Sequence, residues 1–533
     1  MFRNTGKAIT VAAEPLLRGL VLVLLVLAIG GCRSLPEVDD AAVPVEVLKA
    51  LPAATEGPVF EMTQRALAEV GTTDAAILVP DAQSAMEWRL ALIDSAEISI
   101  DMQYFVWAGD AAGTLLLKRL LLAADRGVHI RLLMDDLYLL ANSGLDGPDA
   151  VLAAIDSHPN IHFKVFNAGR YRSGKLGIAG SFAGGFNAFN RRMHNKLMVT
   201  DGRVALVGGR NLADEYYGTG DNYNFVDLDA LVMGAVMGTV TDAFDRYWNS
   251  APAYPASALN PDAEGNELAQ VREEVDAFLI EQAETLAAYP PQPADWSSFF
   301  SAAATDVHGG AGTFLQDDPE EDDDNSYRLY DMVEEFGTPD DQHVYMITPY
   351  LIPQKEGLLE LREMVDSGLK VTLLTASLSS GDLEAANAHY KRYRRGILEA
   401  GAELYEFHHQ PSAALRAMAD VVPNRADYVA FHPKTSITDG RLCFVGSLNL
   451  DPRAVIINTE NGLVFESESF CGAIEALAEL YIQPENSWKV SLDERGELQW
   501  TSHEGTVHQQ PARSGGQRMA DFFFSLLPIE DLL

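Results

Sequence analysis

The sequence predicts an α/β protein in which one fold is used twice, each copy a mixed β-sheet flanked by helices. Three observations carry that prediction. The pattern His-x-Lys-x-x-x-x-Asp occurs twice, as His194-Asn195-Lys196 with Asp201 and as His432-Pro433-Lys434 with Asp439. Each copy is followed at the same distance by a turn ending in asparagine, Gly208-Gly209-Arg210-Asn211 and Gly446-Ser447-Leu448-Asn449, so the histidines and the asparagines are both 238 positions apart. A strand–helix–strand alternation precedes each copy, which favours a parallel or mixed sheet with helices on its faces. The spacing far exceeds any solenoid repeat, so the copies are domains.

Taken in order, the chain starts with Arg3, Lys7 and Arg18, an apolar run at 20–29, then Gly30-Gly31-Cys32. A basic start and a short apolar segment before small residues read as a secretory signal, too short to span a bilayer. Ile29-Gly30-Gly31-Cys32 resembles a bacterial lipobox. That implies a signal peptide at 1–31, lipidation of Cys32, and anchoring in the bacterial cell envelope on the periplasmic side. Arg33 after the cysteine resembles outer-membrane sorting, and several acyl chains anchor stably where one does not. Residues 32–75 are polar and proline-containing and read as a linker. The first domain, 76–259, opens with a strand at 97–106, a helix at 111–126 stopped by Gly127, and a strand at 128–134. Between 161 and 200 lie Lys164, Arg170, Arg172, Lys175, Arg191, Arg192 and Lys196 with no acidic residue, and Phe182, Phe186 and Phe189 alternate with glycines. Two readings stay open for this segment: a locally packed loop, or a lid that dips into a membrane while its cations meet anionic headgroups. An insertion at 260–337 holds a polar helical pattern at 267–287, a break at Pro290-Pro291 and an acidic run at 317–324, the mark of a solvated loop. The second domain, 338–533, repeats the alternation with a strand at 343–347, a helix at 357–366, Gly368 as stop and a strand at 369–374.

Period two places His194, Lys196 and Met198 on one strand face, and His432, Lys434 and Ser436 likewise. The strands at 204–207 and 442–445 return Asn211 and Asn449 to the same end. Asp201 and Asp439 each precede Gly-Arg between apolar runs, which signals a tight hairpin turn. They are counted among the carboxylates standing behind the site, as structural more than catalytic groups. Two imidazoles, two ammonium groups and two carboxamides are the parts needed to grip a phosphate and displace one of its esters through a covalent histidine. The lysines supply the positive charge, so neither metal nor cofactor is expected. A formal charge of −38 disfavours nucleic acid as a partner, because that affinity comes from cationic neutralisation of phosphates. Cys443 and Cys471 have no metal-ligand spacing, and whether they pair stays open.

These duplicated motifs resemble the phospholipase D superfamily, and within it bacterial lipoproteins of the cardiolipin synthase C type. The likeness extends through Thr348-Pro349-Tyr350-Leu351-Ile352-Pro353, Tyr390-Lys391-Arg392-Tyr393-Arg394, Asn449-Leu450-Asp451-Pro452-Arg453, Asn458-Thr459-Glu460 and Leu526-Leu527-Pro528-Ile529-Glu530. It departs at Ala376, where relatives commonly carry asparagine, and in the acidic run. The resemblance implies two phospholipase D-like domains paired about a pseudo-twofold axis, with one motif from each meeting at the interface. It implies that His194 attacks phosphorus and His432 protonates the leaving alcohol, while Lys196, Lys434, Asn211 and Asn449 hold the phosphoryl oxygens. Asp227, 33 residues after His194, and Glu460, 28 after His432, align with the family's imidazole-orienting acids; Asp229 competes with Asp227. The implied activity is phosphatidyl transfer, making cardiolipin from phosphatidylglycerol and a second lipid at a membrane surface. Water as acceptor would make the same residues a hydrolytic phospholipase D. The charge and the anchor disfavour a nuclease, and the intact duplicates disfavour a lipid-binding scaffold. Protein partners are not legible.

Overall fold

The computed structural model describes residues 49–137, 149–169, 190–259, 267–320 and 328–533. Cys32 with its apolar run, Phe182, Phe186, Phe189 and the acidic stretch from 321 to 324 lie outside the described residues.

The first half comprises α1 (Pro58–Val70), β1 (Asp74–Val79), α2 (Ala82–Ser95), β2 (Ser99–Tyr104), α3 (Ala111–Asp125), β3 (His129–Asp135), α4 (Asp149–Asp156), β4 (Ile161–Phe166), β5 (Leu197–Thr200), β6 (Val204–Gly208), β7 (Tyr223–Val226), β8 (Asp229–Gly234), α5 (Met237–Trp248) and β9 (Ala253–Pro255). Helices α6 (Glu267–Glu281) and α7 (Ser297–Ala303) lead to the second half. There follow β10 (His308–Gln316), α8 (Leu329–Glu334), β11 (His343–Thr348), α9 (Gln354–Asp366), β12 (Lys370–Ala376), α10 (Glu384–Tyr390), α11 (Arg394–Ala400), β13 (Glu403–Phe407), α12 (Ala413–Ala419), β14 (Tyr428–Phe431), β15 (Thr435–Thr438), β16 (Leu442–Gly446), β17 (Asn461–Glu466), α13 (Glu468–Tyr481), β18 (Ser487–Leu492), β19 (Leu498–Ser502), β20 (Gly505–Val507) and α14 (Gly515–Phe524).

The first sheet runs β1-β8-β6-β5-β2-β3-β4-β9. The second runs β10-β17-β16-β15-β11-β12-β13-β18, and β19 and β20 extend it. The orders correspond strand for strand, with β2-β3-β4 and β11-β12-β13 parallel. The two opening strands, β1 and β10, pair antiparallel with Ala75 opposite Gly309. A twofold axis between equivalent strands produces that seam, and it joins both sheets edge to edge. No sheet edge is left open there.

Two sequence boundaries move. The expected insertion at 260–337 supplies β10, the counterpart of β1, so the second domain's sheet begins at His308 and not at 338. Asp317, expected in a solvated loop, is buried; its carboxylate accepts the N–H groups of Leu329 and Glu460. The expected linker at 32–75 contains α1, which starts on Pro58 and buries Val59, Met62 and Ala66 against the first core. Proline suits a first helical turn because its missing N–H would be unpaired there anyway.

Helices close the outer faces of the sheets. Between the inner faces lies a core shared by both halves, built on α5 and α13, with Phe244 and Trp248 from one and Phe470 and Ile474 from the other. Cys443 of β16 and Cys471 of α13 are disulfide-bonded. The stops fall where expected: Gly127 and Gly368 follow α3 and α9 at φ 103° and 101°, a region open to glycine.

Asp201 and Asp439 do not orient an imidazole, which corrects their place among the carboxylates behind the site. Both sit at positive φ, 54° and 51°, before a positive-φ glycine, the geometry of a tight hairpin turn. Asp201 accepts the N–H groups of Glu97, Ile98 and Ser99, the last two at 2.7 and 3.0 Å, and so ties the β5–β6 turn to the start of β2. Asp439 does the same for Gln342 and His343 ahead of β11. Asp201→Ala leaves buried donors unpaired and should cost about 2–3 kcal/mol, and the more exposed Asp439→Ala about 1 kcal/mol. Denaturation midpoints measure this, and activity per folded molecule should be retained in both.

Candidate active site

The histidines stand on segments that leave one half and pair with the other. Strand β14 pairs in parallel with β7, Phe431 opposite Val226, and the His432 N–H donates to the Val226 carbonyl. In the mirror arrangement Met193 bridges Thr459 in parallel, and the His194 N–H donates to the Thr459 carbonyl at 2.9 Å. The chain before Leu197 therefore makes this contact instead of extending β5, so His194 and Lys196 precede the strand on which they were expected. The residue after each partner is an acid: Asp227 follows Val226 and Glu460 follows Thr459.

This pairing exchanges the carboxylates. His194 Nδ1 lies 2.8 Å from Glu460, and His432 Nδ1 lies 2.7 Å from Asp227. The sequence spacing had matched each acid to the histidine of its own half; the geometry crosses them. Asp229 points elsewhere and is ion-paired with Arg89 at 3.0 Å. A carboxylate on Nδ1 fixes the tautomer and leaves Nε2 to face a substrate.

The lysines close on the same centre. Lys196 Nζ donates to the His194 carbonyl at 2.6 Å, and its backbone N–H to Asn461 Oδ1 across the interface. Lys434 Nζ donates to the His432 carbonyl at 2.8 Å and lies 3.1 Å from the ring nitrogens. The asparagines differ. Asn211 is engaged by the Val106 N–H and by Tyr216 Oη, whereas Asn449 is buried with Oδ1 unpartnered.

Several neighbours escaped the sequence reading. Phe105 packs edge-on against His194, and Tyr216 and Phe225 flank His432 with ring centroids 5.3 and 4.6 Å away. Ser447 donates to Glu460, and Tyr350 donates to Asp382 at 2.8 Å. Ser447 stood in the quoted turn, so its position was a signal; Asp382 follows Ser380-Gly381 in a loop with none.

Burial governs the charges. His194 and His432 are held well below the usual imidazole range by burial and then by the two lysines, which favours neutral rings. Burial also brings Lys196 down to about 7 and Lys434 to about 8, with Glu460 and Asp227 opposing it. Glu460 is pushed up to about 8 by the same loss of solvent, against Lys196 and the Ser447 hydroxyl. Such opposed perturbations in one closed site mark a place built for chemistry.

The family description "Cardiolipin synthase, PLD-like domain" matches residues 90–248 and 339–480, the two halves that meet here. The chain belongs to that family and is a phospholipase D-type enzyme. Cardiolipin synthase C of Escherichia coli (strain K12) is 34% identical over 464 residues, covering 84% of this chain and 93% of that protein. A cardiolipin synthase of Clostridium perfringens (strain 13 / Type A) is 23% identical over 397 residues, 74% of this chain and 67% of its own length. Among solved structures, a phosphatidylserine synthase from Haemophilus influenzae Rd KW20 superposes with a TM-score of 0.55 at 13% identity, covering 88% of this chain and all of that one, a likeness of fold.

The lysines set a pH dependence. Only as ammonium ions would they attract a phosphate, so on that role kcat/KM should fall as pH rises through about 7 to 8, the values of the free enzyme. In Lys196→Arg, whose guanidinium stays charged, the component near 7 should disappear and leave the one that Lys434 sets near 8. A limb unchanged in that variant would assign it to another group.

Proposed function

We propose that this protein is a membrane-associated phosphatidyltransferase that makes cardiolipin through a phosphohistidine intermediate. The observation that carries the reading is the pair of imidazoles, each oriented by the opposite half's carboxylate, beside two buried lysines in a chain of this family. His194 Nε2 attacks the phosphorus of the donor phospholipid, and the bond to its headgroup alcohol breaks as His432, taken to its imidazolium form when the anionic phosphate binds, gives that oxygen a proton. His432 then takes the proton from a headgroup hydroxyl of phosphatidylglycerol, whose oxygen displaces His194 to form the product. Lys196, Lys434, Asn211 and Asn449 hold the phosphoryl oxygens throughout. His194 as nucleophile is supported by the family resemblance and by its more open side chain, 11% exposed against 5% for His432.

The membrane reading has support near the C-terminus. Helix α14 turns Gln517 and Asp521 inward while Met519, Phe522 and Phe523 are exposed, and Leu526 and Leu527 continue that spacing. The inward side is fixed by Lys391 on Asp521 at 2.6 Å and Gln517 on the Leu378 carbonyl. An apolar stripe at helical spacing with polar groups buried behind it suits the headgroup–acyl boundary of a bilayer. Among the described residues no helix is long and apolar enough to cross a membrane. Lipidation at Cys32 would hold this face against the envelope membrane.

Incubation of the purified protein with phosphatidylglycerol and a second phospholipid should yield cardiolipin by mass spectrometry. Phosphatidic acid alone would instead make the enzyme a hydrolase. His194→Ala should abolish both turnover and trapping of a labelled phosphoenzyme; label that survives there and disappears in His432→Ala would invert the two roles. Phe522→Ser with Phe523→Ser should lower activity on vesicles about tenfold or more and spare a monomeric short-chain lipid; equal losses on both substrates would defeat the docking role of α14.

A further inference from the structure

The two halves duplicate the site but not the packing behind it. Helices α3 and α9 occupy equivalent places, each after the strand that abuts a motif strand. Helix α3 buries eleven residues, and α9 buries only Leu361. Behind α3 the first core is closed by α1 and α2. Beneath α9, two cavities of about 310 and 330 Å³ lie against the outer face of the second sheet. They share Tyr330, Met346, Met364 and Leu450 as lining, so they adjoin one another beneath the helix. Folded interiors hold few voids larger than a water molecule, and each of these reaches the size of a ligand site.

The space comes close to the active site without the histidines, lysines or asparagines of the motifs lining it. Its wall includes Leu450 and Asp451, the residues directly after Asn449. Leu450 is fixed there by a bridge to Leu351 and by the Ile352 N–H on its carbonyl at 2.7 Å. Asp451 is buried and close enough to Lys434 and Glu460 for their charges to act on it. The lining is mostly apolar, with Leu361, Leu373 and Val464 along its length, and Glu334, Asp341, Thr435 and Ser436 are among its polar positions. Tyr330 presents its ring, because its hydroxyl is tied to Glu360 at 2.9 Å. The far side reaches Ile456, which is exposed, and Gln354, which bonds Asp531 of the C-terminal segment that follows Leu526 and Leu527.

We propose that this double cavity binds one acyl chain of the phospholipid whose phosphate sits between the two histidines. The inference rests on the lipid-transfer reading above and deepens it. A largely apolar, methionine-lined space that passes close to the phosphate site fits a flexible hydrocarbon chain, and thioether side chains adapt to one. The chain enters on the side that carries the exposed apolar stripe, so a lipid can pass from the bilayer without its tail crossing water.

The test uses monomeric phosphatidylglycerols with acyl chains from hexanoyl to decanoyl. In the wild type, kcat/KM should rise about threefold to fourfold with each methylene that enters the cavity. Met364→Trp and Met346→Trp fill the space and should flatten that ladder while leaving the hexanoyl rate unchanged. A ladder as steep in both variants as in the wild type would overturn the proposal. Gly357→Leu narrows the cavity from the helix side, where an added Cβ meets only the Pro353 side chain, and it serves if a tryptophan variant fails to fold. A phosphatidylglycerol with a diazirine at the chain end should cross-link to peptides spanning 346–364 and 450–456; capture elsewhere would also overturn it. Product identity is read in the same reactions. Release of phosphatidic acid in place of cardiolipin would defeat the transfer reading while the ladder and cross-links still report on the cavity.

Discussion

Each histidine of this site is held by a carboxylate that belongs to the other half of the molecule. That crossing is the constraint on which the rest of the structure depends. His194 needs Glu460 and His432 needs Asp227, so neither half contains an oriented imidazole by itself. The halves must therefore meet in one register, and three features secure it. The β1–β10 seam fixes the edge, the β7–β14 pairing with its Met193–Thr459 counterpart fixes the centre, and the core around α5 and α13 fills the space between the sheets. Arg453 adds a strap, with its guanidinium on the side chain and carbonyl of Asn190. A slip of one residue in either of these parallel pairings would turn the acid it carries away from its ring.

The same burial that orients the site also makes it costly. Two lysines, two imidazoles and two carboxylates are taken from water within one interface, and every one of them is displaced toward its neutral form. Buried ion pairs seldom add stability, since desolvation offsets the attraction. The fold carries this centre because hundreds of other residues pack around it, and the closed environment strengthens any charge that develops on a bound phosphoryl group. An incoming anion would draw both lysines back to their charged state, so substrate binding and site charging are one event on the proposed mechanism.

Much of this was legible in the chain because the repeated elements follow local rules. The stops at Gly127 and Gly368, the strands around them and the hairpin turns at Asp201 and Asp439 are short-range signals, and each appears where the pattern puts it. Strand β10 was hidden for a physical reason. Its sequence begins His308-Gly309-Gly310, which lacks alternation, because a side chain at Gly310 would collide with the Glu466 carbonyl and the Phe465 ring. Helix α1 was hidden by its own start signal, since Pro58 reads equally as a linker residue. The exchange of Asp227 and Glu460 could not be read at all. It depends on parallel pairings between segments some two hundred residues apart, and no local propensity encodes those.

The departures from symmetry show what duplication leaves free to change. At the position equivalent to Ser447 the first half has Gly209, where an added Cβ would lie 2.2 Å from Asp227 Oδ1. The shorter aspartate must bring its carboxylate close to the turn, so the turn gives up its side chain; the longer glutamate leaves room for a serine, which donates to it. The size of the acid and the size of the turn residue are thus matched in each half, and the imidazole stays in place in both. Asn211 and Asn449 diverge in the opposite sense, since one amide is engaged at both its oxygen and its nitrogen and the other keeps a buried oxygen without a partner. The two halves are alike around the paired histidines, whereas the helices on their outer faces differ in how much they bury. On the proposed transfer between two lipids, the wall that stands off from the second sheet would give the two substrates unlike surroundings within an otherwise duplicated fold.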